Sequence, residues 1–148
     1  MSERRARPVS PPSGRPPPTT VSLPDSAELD LLALSQEICR RYLAEFPDEV
    51  GRYGEPGTAW CVHDNQHILN WAALSLGWFV DLEKEIAWLA RVLEARDFPL
   101  KRLSRDIEIA AEVVEHEDGG QIPPLAAALR SAARFVASKP SFLDVDMG

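Results

Sequence analysis

An all-α fold is what this sequence predicts, and three observations carry that expectation. Apolar residues recur at three- and four-residue spacing along most of the chain after residue 28. No alternating β-branched run of useful length occurs anywhere. Proline and glycine gather between the periodic stretches, at Pro47 with residues 51–57, at Asp97-Phe98-Pro99, and at Gly119-Gly120 with Pro123-Pro124. Those breaks cut the chain into about five helices in a single bundle.

Taken in order, residues 1–24 are rich in Pro, Ser and Arg with almost nothing to bury, so a disordered or polyproline-like tail is expected. Its Pro16-Pro17-Pro18 run beside Arg15 has the composition that docks in an aromatic groove, and the plain alternative is a linker. The helical domain then spans residues 25–138. Asp25 and Glu28 have capping-box spacing ahead of a first helix whose inner stripe is Leu31, Leu34, Ile38, Tyr42 and Phe46. Glu28, Asp30, Glu37, Glu45, Asp48 and Glu49 give it an acidic outer side, read as a solvated face. A second helix over residues 58–79, capped by Thr58, is the central one, because it is apolar around most of its circumference. Only Gln66, Asn70 and Gly77 form a polar strip on it. The third helix carries Leu82, Ile86, Leu89 and Leu93, with Trp88 and Val92 on the shoulder of that stripe. Pro99 suits the first turn of a fourth helix with Leu103, Ile107, Ala110 and Val114 inward. Pro123 and Pro124 open a fifth, with Leu125, Leu129, Ala132 and Val136 inward. Residues 139–148 form a short acidic tail, expected to pack Phe142 onto the helices, with an acidic docking peptide as the alternative.

Net charge is −7 and 45% of residues are hydrophobic. A basic face for nucleic acid or an anionic membrane is therefore not expected. No apolar run approaches the roughly 20 residues of a membrane span. The arginines near the start are followed by no apolar stretch, so a secretory signal is not expected, and Cys39 and Cys61 share no metal or redox spacing; a soluble cytoplasmic protein with reduced thiols is the expectation.

The chemistry-bearing residues gather on the second helix. At about 100° per residue, Trp60, His63, His67, Trp71, Leu74 and Trp78 fall within one narrow arc. Two imidazoles four residues apart can share a metal or flank a cofactor. The indoles of Trp60, Trp71 and Trp78 can wall a flat pocket for a haem, a bilin or another planar ligand, or can simply fill a core. His116 lies in an acidic run with Glu115, Glu117 and Asp118. Were it brought to His63 and His67, a three-histidine transition-metal site would result, with Glu115 or Glu117 as base. The order and number of these residues do not fit the usual enzyme constellations. Paired Glu-x-x-His motifs are missing, no histidine precedes His63, and no glycine loop suits a phosphate. Catalysis is therefore not the expectation. A pH-sensitive contact is another use of the histidines, since an imidazole changes charge near neutral pH.

His63, His67, Leu69 and Trp71 form an H-x-x-x-H-x-L-x-W run, followed by Gly77, Phe79, Trp88-Leu89, Val92-Leu93, Arg96-Asp97-Phe98-Pro99, Leu103 and Ile107. This order is similar to a helical sensor-type module that stands ahead of cobalamin-binding or signalling domains in bacterial regulators. Its stressosome-type relatives are globin-like without haem. The sequence departs from the pattern at Asp97, where such modules often carry glycine, and it holds no Asp-x-His-x-x-Gly cobalamin motif. The resemblance implies a stand-alone regulatory helical module, globin-like in fold, without cobalamin. The function expected is a regulatory or sensory domain acting through protein partners, with a homo-oligomer as one form of such contact.

Overall fold

The structure, a computed structural model, describes residues 16–24, 28–118 and 122–143. The chain is all-α, with five helices and one short hairpin among the described residues. It divides into two compact units, Met1–Asn70 and Trp71–Gly148. No helix is long and apolar enough to cross a membrane among the described residues.

The first unit begins with strands β1 (Thr20–Ser22) and β2 (Glu28–Asp30), paired antiparallel with Val21 opposite Leu29. Thr20–Ser22 falls inside the stretch read as tail from composition. Three-residue strands are too short for alternation to show in a sequence. The hairpin buries Leu23 and Leu29. It leads without a loop into α1 (Leu31–Glu45).

Asp30 is both the last strand residue and the helix N-cap, its carboxylate accepting from the Ala33 N–H at 3.0 Å. The capping box expected from Asp25 and Glu28 therefore does not start this helix: Glu28 is held in the β ladder, and Asp25 lies outside the described residues. The inner stripe is as expected for Leu31, Leu34, Ile38 and Tyr42, all buried, and Ser35 and Cys39 join it. The acidic outer side is only partly solvated charge. Glu37 is bridged by Arg40 and Arg41, each at 2.7 Å, and their hydrogen bonds lower its pKa to about 2. Glu49 is buried and accepts from the Tyr42 hydroxyl at 2.7 Å.

Helix α2 (Asp48–Leu76) contains a break at Gly54, whose φ of +69° and ψ of −165° are open to glycine and strained for other residues. Pro56 follows in the first turn of the second stretch, where its missing N–H costs nothing. This punctuation moves the start of the central helix upstream of Thr58, which lies inside it and is exposed. The far end also differs. The helix stops at Leu76, where the N–H groups of Trp78 and Phe79 bond to the carbonyls of Ser75 and Leu74, both at 3.1 Å. That is a Schellman cap with tryptophan in the left-handed position, at φ +65°.

Cys39 on α1 and Cys61 on α2 form a disulfide, with Cα atoms 5.9 Å apart. The expectation of two isolated thiols is corrected by this pairing. Their separation of 22 residues matches no local motif, and only the folding back of the chain between α1 and α2 brings them together.

The second unit holds α3 (Leu82–Ala95), α4 (Leu100–Asp118) and α5 (Pro123–Ala137). Asp81 caps α3 through the Lys84 N–H at 3.3 Å. Helix α3 ends in a second Schellman cap, with Asp97 left-handed at φ +68°. Helix α4 packs most extensively on α5, and α3 packs on both. Buried Ala110, Ala111, Ala126, Ala132 and Ala133 let the α4 and α5 backbones approach closely, and the Ser104 hydroxyl donates to the Ala133 carbonyl at 2.9 Å. The stripes expected on α4 and α5 are buried throughout; on α3, Ile86, Leu89 and Leu93 are buried and Leu82 half-buried. Phe142 packs onto the helices as expected, 1% exposed, edge-on to Phe135 at 5.6 Å, its N–H donated to Glu94 at 2.7 Å. Residues 144–148 of the acidic tail lie outside the described residues.

Candidate functional site

The strongest chemical grouping in the first unit lies on α2 between Trp60 and Asn70. The regular helix past Gly54 places His63 and His67 one turn apart on the same face, and their rings meet edge-on with centroids 5.2 Å apart. Burial, with the neighbouring His63 as a lesser cause, pushes the His67 pKa down to about 4. His67 is therefore a neutral imidazole at physiological pH. The expectation of a charge switch near neutral pH does not fit this residue. The Asp64 carboxylate stands 3.8 Å from His63 Nδ1, both side chains being largely buried.

Asn65 and Gln66 turn toward the rest of the unit. Asn65 is buried; its amide donates to the Cys61 carbonyl at 2.9 Å and lies 3.6 Å from each sulfur of the disulfide. Gln66, expected on a polar outer strip, is buried and donates to the Pro18 carbonyl at 3.0 Å. That bond ties the helix to the segment leading into β1. The signal in the sequence was ambiguous, because a glutamine on an apolar helix reads equally as a wet strip or as a satisfied buried amide.

The expected aromatic arc is split. Trp60 and Trp71 are half-buried on α2. Trp78 lies beyond the helix end and is 92% exposed, with Phe79 beside it 77% exposed. The arc extrapolates helix geometry past Gly77, whereas α2 ends at Leu76 and Trp78 takes a left-handed φ of +65°. His116 is exposed near the end of α4 in the second unit. Among the described residues, no group of three or more His, Cys, Asp or Glu side chains is arranged to hold a metal ion.

A separate open groove of about 890 Å³ lies within the second unit, between the end of α3, the start of α4 and the end of α5. Phe98, Lys101, Arg105, Val136, Lys139 and Pro140 are among its walls. None of the five residues expected to form a pocket lines it. Its Glu94 carboxylate is engaged by the Phe142 N–H, which lowers the Glu94 pKa.

The arrangement on α2 supplies two adjacent imidazoles, one held neutral, and a nearby carboxylate. It can accept hydrogen bonds or offer nitrogen ligands, but it presents no nucleophile beside a base. Sequence reasoning missed the Cys39–Cys61 pair and the Tyr42–Glu49 bond, both of which depend on contacts between helices. The exposed Phe79 was findable, since Gly77 is a helix-stop signal and the residues after it need not share the helix face. Comparison with known proteins returns no matching family model, no similar curated protein and no similar solved structure.

Proposed function

We propose that this chain is a non-catalytic regulatory or sensory helical domain that acts through protein contacts and associates with further copies of itself. The observation that carries this reading is the Trp78-Phe79 pair, exposed by 92% and 77% on the turn between α2 and α3. Two adjacent aromatic rings left in water contribute little to the fold and are the residue types that anchor protein interfaces. The test is sedimentation velocity over a range of concentrations, on the native chain and on Trp78→Gly. Association that grows with concentration and weakens in the variant is the expected result. A chain that stays monomeric throughout counts against the reading.

A second reading, a haem, a bilin or a transition metal bound by His63 and His67, is favoured by the 5.2 Å approach of the two rings. An absorbance spectrum and elemental analysis of freshly purified protein test it, and exchange of both histidines for glutamine should then abolish the signal. The cytoplasmic expectation loses one of its supports, because a Cys39–Cys61 disulfide persists best in an oxidising compartment.

A further inference from the structure

We infer that the turn between α2 and α3 docks a proline- and arginine-rich segment, residues 4–15 of a second copy of this chain; this rests on the protein-contact reading above. Trp78 occupies a left-handed position, φ +65°, that glycine fills without strain. It is also 92% exposed, so neither burial nor backbone preference explains an indole there. A non-glycine residue held in such a conformation points toward a role outside the fold.

Gly77 completes the platform. A Cβ at that position would meet the Phe79 ring at 2.7 Å, so only glycine lets the ring lie against the backbone. The N–H groups of Trp78 and Phe79 are both bonded to the last turn of α2, which holds the pair in place. Immediately after them come Asp81, Glu83 and Glu85, with Lys84 the one opposing charge in the first turn of α3. Aromatic faces followed by carboxylates suit a segment in which prolines pack on rings and arginines meet acids or stack on the indole.

The chain itself contains such a segment. Residues 4–15 read RRARPVSPPSGR, with four arginines, three prolines and no acid, in a protein of net charge −7. Charge complementarity therefore favours this occupant over an anionic surface, which Asp81, Glu83 and Glu85 would repel.

The test uses a fluorescein-labelled peptide of residues 4–15, titrated with the full-length chain and followed by anisotropy. The same titration is run on a chain with Arg4, Arg5, Arg7 and Arg15 changed to Glu, whose own segment cannot compete. Saturable binding to that chain is expected. It should weaken at least about tenfold in a Trp78→Gly version, as for loss of an interface anchor. A peptide with its arginines replaced by glutamate should not bind. Because glycine is favoured at position 78, unfolding does not explain a loss in Trp78→Gly, and far-UV circular dichroism verifies this. No saturable binding, or equal binding to the Trp78→Gly version, overturns the proposal. Should Trp78-dependent self-association persist in sedimentation, only this occupant is wrong; should it also be absent, the protein-contact reading falls with it.

Discussion

Among the described residues from Trp71 onward, the buried side chains are almost all alanine, leucine, isoleucine and valine, with Phe142, Ser104 and Asp106 the exceptions. Up to Asn70 the buried set also includes Ser35, Glu49, Asn65, Gln66 and His67, along with a disulfide. The second unit is held by apolar stripes on α3, α4 and α5, which need only the right size and spacing. The first depends on particular partners: Tyr42 for Glu49, Pro18 for Gln66, and Cys39 for Cys61. A core built on apolar area is insensitive to redox state and mild acid, whereas one built on polar partners and a covalent link responds to both.

The largest effect separating the units should come from Leu129→Ala in α5. Leu129 is fully buried, and its truncation should cost about 2–5 kcal/mol. Chemical denaturation should show that loss with and without reductant alike; a cost below about 1 kcal/mol would mean the second unit is loosely packed. Next comes the disulfide. Its loop of 22 residues' separation predicts about 3 kcal/mol of stabilisation. Reduction, or Cys39→Ser with Cys61→Ser, should remove it, and thiol titration of the unreduced protein should find no free cysteine. Two reactive thiols in protein purified without reductant would refute the pairing.

A pH effect sharpens the contrast further. His67 has a folded pKa near 4, below its ordinary value of 6.5. Between those values the unfolded chain binds the extra proton, so stability is full above about pH 6.5 and declines as pH falls toward 4. The loss should be on the order of 1–3 kcal/mol. Thermal melts across that window should flatten in His67→Gln; an unchanged slope would assign the effect elsewhere. The smallest change is Asp97→Gly at the cap of α3, φ +68°. It should stabilise by at most about 1 kcal/mol, because glycine carries no left-handed strain but gains entropy when unfolded. A destabilisation would indicate that the Asp97 side chain makes a contact worth more than its strain.

Legibility followed the same division. Leu103, Ile107, Ala110 and Val114, and Leu125, Leu129, Ala132 and Val136, were readable as inner stripes because one face of each helix faces the core. On α2 the period was readable but its ends were not. Gly54 and Pro56 start the helix earlier than Thr58, and the helix ends at Leu76, before Trp78. The His63–His67 approach was legible, because residues four apart on a helix are neighbours whatever surrounds them. The neutral state of His67 was not, because burial depends on what packs over the ring.

By itself, then, the sequence determined the helical class, the apolar stripes of α3 to α5 and the histidine pair, all consequences of local spacing. Only the tertiary structure decided that Cys39 meets Cys61, that Tyr42 satisfies Glu49, and that Gln66 faces inward onto Pro18. It also decided that Trp78 and Phe79 remain in water. Such outcomes join residues distant in the chain or hinge on one backbone torsion, and periodicity carries no information about either.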